Sequence, residues 1–329
     1  MLDSADFIVA DAAIPPVADG EVLVRAIHLS LDPYIRKAMR GDHPGHRKLD
    51  PGDVIYGRSV CRVVATRQAD LPVGTLLVAE TGWQLIAAIG ANKVVQRCDE
   101  TMGPPAAFIG ALGMPGLTAW GSVGRIAPPR LGDTFVVSAA AGPVGGLAGQ
   151  LAKRAGARVV GIAGGERKRR LVVDDYGFDA CIDYKLADWP QALAAACPNG
   201  IDIYHDNVGG PVLKKLSTYL NLNARVVLCG RPGDYHGAEF DGVGLGPFIA
   251  KRARLKGLVV YDFEPDLPRY LALASRLLRI GQLRVQEDRV DGIDAAPAHF
   301  MKMMQGENVG KAMVTVGPEA LDSGVASLP

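Results

Sequence analysis

Ser138-Ala139-Ala140-Ala141-Gly142-Pro143-Val144-Gly145-Gly146 follows the apolar run Phe135–Ser138 and opens a segment of helical length, Val144–Ala155. A strand that turns through glycines into a helix lets the backbone come close to a pyrophosphate, whose charge is met by N–H groups at the helix N-terminus. The spacing is A-x-G-x-x-G: Gly142 and Gly145 hold the second and third glycine positions of the dinucleotide fingerprint, and Ala140 replaces the first. A close helix–sheet crossing without a ligand would use the same residues, so the flanking strand and helix give the string its meaning. Residues 134–152 carry no charge and are long enough for a membrane span. Their Ala, Gly and Pro content argues instead for a buried strand, a turn and a helix, and no membrane partner is expected.

Downstream of the turn, strands and helices alternate. Apolar runs at Arg158–Ile162, Ala180–Asp183, Ile201–His205 and Ala224–Leu228 read as buried parallel strands. Between them, Glu166–Tyr176 and Pro211–Leu220 have helical length, and the apolar run Leu255–Tyr261 and the helix-like Asp266–Ile280 close this half. The fold class is α/β, with a doubly wound parallel sheet of Rossmann type. Upstream the pattern is different. Glu21–Ser30 alternates polar and apolar residues, and turn signals recur at Asp19-Gly20, Pro51-Gly52-Asp53 and Pro72-Val73-Gly74. Short, regularly punctuated strands predict a barrel or a curled sheet. The tail after Val316 is expected to fray.

The length of 329 residues favours two domains, and the formal net charge of +1 gives no reason to expect a nucleic-acid partner. Cys61, Cys98, Cys181, Cys197 and Cys229 are odd in number and form no C-x-x-C pair, which fits a reducing cytoplasm. The first residues lack the basic-then-apolar pattern of a secretion signal.

The second strand of the α/β half decides which cofactor is expected. A site for NAD places an acid there to hold the ribose 2′-hydroxyl. Here the strand runs into Ala163-Gly164-Gly165, then Glu166-Arg167-Lys168-Arg169-Arg170. Small residues leave room for a 2′-phosphate and the cations beyond can bind it, so NADPH is favoured, with Lys168 as first choice. Glu166 is close enough to be the missing acid, and a basic run is most often a solvated face. No metal is expected: Cys61 and Cys98 stand singly, and His28, His43 and His46 form no ligand pattern with them. His43 and His46 read as exposed loop residues. No G-x-S-x-G elbow occurs.

Several strings now converge: Leu29-Ser30-Leu31-Asp32-Pro33-Tyr34-Ile35-Arg36, Gly113-Met114-Pro115-Gly116-Leu117-Thr118-Ala119-Trp120, the Ala139–Gly145 turn, Gly177-Phe178-Asp179, Asp206-Asn207-Val208-Gly209-Gly210 and Gly306-Glu307-Asn308-Val309-Gly310-Lys311. In them the chain resembles the medium-chain dehydrogenase/reductase superfamily over nearly its whole length. More narrowly it resembles the zinc-free group of leukotriene B4 12-hydroxydehydrogenase/prostaglandin reductases, plant alkenal double-bond reductases and bacterial curcumin reductases. The resemblance implies a GroES-like β-barrel domain of residues 1–117 and 289–329, a Rossmann NADPH-binding domain of residues 118–288, and a homodimer. It implies reduction of the C=C bond of a small α,β-unsaturated aldehyde or ketone.

On matching positions it implies that Lys168 and Tyr184 contact the 2′-phosphate region of NADPH, and that Asn207 and Asn308 reach the diphosphate and nicotinamide. Met114 and Thr118 would border the nicotinamide, and Cys229 would follow a cofactor-lining strand. Tyr261 matches the tyrosine that holds the substrate carbonyl; Tyr56, which has no clear counterpart, stands in reserve. The residues themselves leave blander readings open. Asn207 before Val-Gly-Gly fits a turn former, Tyr34 a packing aromatic, Tyr261 a core residue at a strand end, and Lys311 a solvated surface cation. The chain departs from the family at Arg231-Pro232-Gly233-Asp234-Tyr235 and the glycine-rich Gly237–Gly246 segment, where a long proline-rich loop usually walls the substrate pocket. A quinone reductase, an alcohol dehydrogenase of the same superfamily and a non-catalytic NADPH-binding protein are the alternatives.

Overall fold

The computed structural model describes residues 6–43, 45–230 and 242–319. Two compact units emerge, one from the chain up to Ile109 and from Glu287 onward, the other from Gly110–Gln286. The segment Arg231–Tyr235 and the first half of Gly237–Gly246 lie outside the described residues.

In chain order the first unit contributes β1 (Glu21–Ser30), α1 (Tyr34–Arg40), β2 (Ser59–Thr66), β3 (Leu76–Ala79), β4 (Ile86–Gly90) and β5 (Val94–Arg97). The second contains α2 (Met114–Gly121), β6 (Thr134–Ser138), α3 (Pro143–Arg154), β7 (Arg158–Ile162), α4 (Glu166–Arg170), β8 (Ala180–Ile182) and α5 (Trp189–Ala196). It continues through β9 (Ile201–Asp206), α6 (Gly210–Ser217), β10 (Leu220–Leu228), α7 (Gly246–Lys251), β11 (Arg254–Gly257) and α8 (Leu267–Arg279). The chain then returns to the first unit as β12 (Glu287–Asp291), α9 (Ala296–Met304) and β13 (Lys311–Thr315). The seams expected at 117/118 and 288/289 would cut α2, which packs as one piece against α3, and β12, whose Glu287 pairs with Lys311.

The first unit is a seven-stranded sheet in the order β12-β13-β1-β2-β3-β5, with β4 on β1. Strand β1 organises it, pairing with β2 along one edge and with β4 (Glu21–Arg25) and β13 (His28–Ser30) along the other. Only Glu21 and Arg25 are even partly exposed, because the strand is central and covered on both faces. Val22, Val24, Cys61, Val63, Leu77 and Ile89 form its core. His28 is 1% exposed and bonds Glu319 through Nε2 at 3.1 Å; burial lowers its pKa. The tail is expected to fray after Val316, but Gly317 donates its N–H to the Ile27 carbonyl at 3.3 Å and Glu319 bonds His28 and Arg62, so the chain is held as far as Glu319.

Lys311 overturns its expected surface role. It is 2% exposed, and Nζ donates to the Leu31 carbonyl and to Asp32 Oδ1, both at 2.7 Å. Asp32 Oδ2 accepts the Ser30 hydroxyl. A single buried pair thus ties the Leu29–Arg36 string to the start of β13.

The second unit is a six-stranded parallel sheet in the order β11-β10-β9-β6-β7-β8. All five residues of β6 are buried, as a central parallel strand requires. Residues 134–152 are β6, the glycine turn and most of α3, and among the described residues no helix is long and apolar enough to cross a membrane. Two local readings are corrected. The Pro211–Leu220 helix stops at Ser217 and Leu220 already begins β10, because Leu220 pairs with Ile201 of β9. The apolar run Leu255–Tyr261 is a strand only to Gly257, and Tyr261 lies in the 3-10 turn Val260–Asp266.

Lys311→Met should strand the buried Asp32 carboxylate and cost about 3–5 kcal/mol, the usual penalty for breaking a buried pair from one side. Urea unfolding monitored by fluorescence would show the loss as a lower midpoint; an unchanged midpoint would mean the pair does not hold β13 in place.

Candidate functional site

The turn between β6 and α3 is built for close approach. Helix α3 starts after Gly142, whose backbone is extended (φ −84°, ψ 169°), with Pro143 in its first turn. Pro143 has no N–H, and Val144 and Gly145 come too early to find a carbonyl one turn back, so their N–H groups point out along the helix axis. Gly146 is the first to bond inward, to the Gly142 carbonyl at 2.9 Å. A Cβ on Gly145 would lie 2.5 Å from the Ala139 carbonyl oxygen, a backbone atom that cannot swing aside. Ala140 fits the first fingerprint position because Gly161 of β7 leaves the space: a Cβ there would lie 2.7 Å from the Ala140 methyl. The left-handed backbone of the turn falls instead to Ala139 (φ 49°). A cradle with outward N–H donors and no room for a side chain fits a diphosphate.

This cradle stands at the topological switch point. From β6 the sheet grows through β7 and β8 on one side and through β9, β10 and β11 on the other, which opens a crevice beyond the carboxyl ends of β6 and β9. A dense network closes its floor. Asp206 Oδ1 accepts the Tyr204 hydroxyl at 2.7 Å, the Ser138 hydroxyl at 3.1 Å and the N–H groups of Val208 and Gly209. Asn207 donates its backbone N–H to Ser138 Oγ and its side-chain amide to the Ser138 carbonyl, both at 2.8 Å. The side-chain amide expected to reach a ligand is therefore engaged in stapling β9 to β6. Cys229 donates its N–H to the Asp206 carbonyl at 2.8 Å. Burial, reinforced by Asp206, pushes its thiol up to about 12, so it is a neutral wall residue and not a nucleophile.

His205, also on β9, is fully buried, with Nδ1 2.8 Å from the Ser122 hydroxyl and Nε2 without a hydrogen-bond partner. Burial drops its pKa to about 4, so the ring is neutral at physiological pH.

At the far end of the sheet, Gly164 and Gly165 follow β7 and meet the loop after β8. Asp183 ties the two together, accepting the N–H of Gly165 at 2.9 Å and of Lys185 at 3.0 Å. Glu166 is not poised as a ribose acid. It binds Arg169 at 2.6 and 2.8 Å and Arg170 at 2.8 Å, and these bonds pull its carboxyl down to about 2. The basic run thus divides: Arg169 and Arg170 serve Glu166, while Lys168 stands half-buried on the same helix. Tyr184 is 41% exposed beside Gly164.

Helix α2 carries Met114 and the buried Thr118, whose hydroxyl donates to the Met114 carbonyl at 2.7 Å. The turn bearing Tyr261 packs on this helix. Gly121 meets the Phe263 ring so closely that a Cβ would lie 2.5 Å from it, and Arg125 forks onto Asp266 while its guanidinium lies 5.2 Å from the Trp120 ring centroid. Tyr261 is 46% exposed and its hydroxyl makes no hydrogen bond among the described residues. It is neither a strand end nor core.

Tyr56 and Asn308 belong to the first unit. The Tyr56 hydroxyl donates to the Arg47 carbonyl at 3.0 Å and its ring stands edge-on to His46 at 4.5 Å. His43 and His46 are half-buried in a cluster with Tyr34 and Tyr56 rather than exposed, since four flat rings cover one another. Asn308 donates its side-chain amide to the Gly310 carbonyl at 2.8 Å. Cys61 is buried, its thiol pushed up to about 12, and burial also raises that of Cys98. Among the described residues no group of three or more His, Cys, Asp or Glu is arranged to hold a metal ion.

Ser138, Asp206, His205, Asp183 and Lys185 were not singled out in the sequence. Polar Ser138 and Asp206 at the ends of two apolar strands were the visible signal, since a buried polar group at a strand end demands a partner.

Two family models match the chain: one described as the N-terminal domain of oxidoreductase, over residues 1–96, and one as zinc-binding dehydrogenase, over residues 143–276. The chain is 36% identical to the NADPH-dependent curcumin reductase of Escherichia coli, over 93% of this chain and 90% of that protein. It is 34% identical to the 2-alkenal reductase (NADP(+)-dependent) of Nicotiana tabacum, over 92% and 90%. The crystal structure of CurA from Vibrio vulnificus in complex with NADPH superposes with a TM-score of 0.87 at 36% identity, covering 94% of each chain.

His205 makes stability pH-dependent. Its folded pKa of about 4 lies below the ordinary histidine value of 6.5, so the unfolded chain takes up the proton first. Stability contributed by the neutral ring is complete above pH ~6.5 and is lost as the pH falls to ~4, by about 3 kcal/mol. Denaturant midpoints between pH 7 and 4 should fall more steeply for the parent than for His205→Gln. Parallel curves would remove His205 as the titrating group.

Proposed function

We propose that this chain, which belongs to the medium-chain dehydrogenase/reductase family in its group of curcumin, alkenal and prostaglandin reductases, reduces the C=C bond of α,β-unsaturated aldehydes or ketones with NADPH. The observation that carries this reading is the Gly142–Gly145 cradle at the β6/β9 switch point: N–H donors aimed outward and no space for a Cβ at residue 145. Val144 and Gly145 would hold the diphosphate through their N–H groups, with Gly142 admitting its approach. Lys168 and Tyr184 would take the 2′-phosphate beside Gly164. Met114, Thr118, Asn207, Cys229 and Asn308 would shape the path of the dinucleotide, Asn207 and Cys229 by holding its walls. NADPH, when bound, supplies the hydride.

The remaining work falls to a hydrogen-bond donor for the carbonyl oxygen, where negative charge develops as the β-carbon is reduced. Tyr261 fits that task. Its hydroxyl is unengaged among the described residues, and the turn that bears it is seated on α2 by Phe263 and tied by Asp266 to Arg125 just beyond that helix. Tyr56 is the weaker candidate, because its proton is already given to the Arg47 carbonyl. Protonation of the α-carbon then comes from the same tyrosine or from water.

We read the chain as zinc-independent, cytoplasmic and homodimeric. Its cysteines are free, and burial holds Cys61 and the half-buried Cys98 as thiols. Strand β11 is an exposed sheet edge, paired on one side with β10, which can take a second copy.

Loss of NADPH absorbance with a panel of enals, enones and quinones, with and without chelator and with NADH in parallel, tests the reaction. Rapid chelator-insensitive turnover of enones with NADPH is expected. Turnover of quinones alone, or none despite NADPH binding, overturns it. Tyr261→Phe should lower kcat roughly 10²-fold, the range of one general acid or oxyanion donor, and leave the Kd for NADPH unchanged. A parent-like kcat with a good enone would remove Tyr261 from the chemistry.

A further inference from the structure

Lys185 lies outside every string that marks the nucleotide site, yet it sits on it. Its backbone N–H is fixed by Asp183, the same carboxylate that fixes Gly165. Its side chain crosses Gly164: a Cβ on that glycine would lie 2.8 Å from Lys185 Cε and 3.2 Å from Cδ, with Tyr184 Cε1 at 3.1 Å. The carbon stem therefore covers the small residue that follows the second strand, where a site for NAD carries its ribose acid. Lys185 is exposed and makes no ion pair among the described residues.

The charges around it say what it is for. An anion over Gly164 would face the carboxylate of Asp183, which is half-buried and cannot turn away from the two N–H groups it accepts. Arg169 and Arg170 cannot offset that charge without releasing Glu166. Lys185 is the cation on the Asp183 loop itself, and its stem lies over Gly164. We propose that Lys185 is a specificity-determining residue that binds the 2′-phosphate of the cofactor from the β8 side, opposite Lys168 on α4. The inference rests on the NADPH reading above and names a residue that the basic run does not contain.

Binding of two adenosine fragments tests it without turnover: 2′,5′-ADP, which carries the 2′-phosphate, and 5′-AMP, which lacks it. Calorimetric titration of the parent protein should show tighter binding of 2′,5′-ADP. Lys185→Met, which keeps the stem and removes the charge, should weaken 2′,5′-ADP roughly tenfold and leave 5′-AMP unchanged. Arg167→Ala, at an exposed position of α4, should change neither. If Lys185→Met binds 2′,5′-ADP like the parent, or loses both fragments equally, the inference is overturned. If the parent itself does not distinguish the fragments, the NADPH reading falls first and the inference with it.

Discussion

The hydrogen bonds that Ser138, Asp206 and Asn207 exchange across the ends of β6 and β9 hold open the crevice on which the second unit depends. These two strands are neighbours in space but far apart in sequence, with β7 and β8 inserted between them. A parallel sheet alone would join them through backbone bonds, which end at Val137 and His205. Beyond that point the strands must diverge to admit a ligand, and side chains take over. Ser138 and Asn207 bind each other twice, and Asp206 gathers Tyr204, Ser138 and the N–H groups of Val208 and Gly209. Buried carboxylates are tolerated when every lone pair is used in this way. The strand ends are fixed because Ser138, Asp206 and Asn207 satisfy one another from within.

That saturation explains which parts of the site could be read from the sequence. The glycine turn was legible because its requirement is steric and local: Gly145 must lack a side chain, and the residues around it announce a strand and a helix. The substitution of Ala140 was legible only as an imperfection. Its compensation, Gly161, lies on another strand, and only the fold brings the two together. The cationic run signalled an anion but not its own division of labour, because Glu166 draws in Arg169 and Arg170 through contacts a helical wheel permits without requiring.

Long-range burial was the least legible feature. Lys311 looks like any surface lysine in Gly310-Lys311-Ala312, and Asp32 like any turn acid beside Pro33. Their contact spans 279 residues. The alternation in β1 marked a strand but not its surroundings: His28 is covered once β13 and the chain to Glu319 lie against it. Tyr261 was displaced for a related reason. Apolar residues continue past Gly257, but Phe263 needs Gly121 as its seat and Asp266 needs Arg125, so the chain turns into a 3-10 helix to reach them.

These pieces imply a division between binding and chemistry. Asp206, Asn207, His205 and Cys229, the polar and nucleophilic groups at the crevice floor, are turned inward or held neutral. What remains for a ligand is a pair of backbone N–H groups at one end, cations and a tyrosine around Gly164 at the other, and the Tyr261 hydroxyl on α2's packed turn. A hydrolytic or nucleophilic mechanism needs an activated side chain, and this floor withholds one. Hydride transfer needs the opposite: a cofactor held immobile, a dry wall and one donor for the developing oxyanion. Spending the reactive side chains on rigidity is therefore consistent with chemistry that the bound nucleotide brings with it.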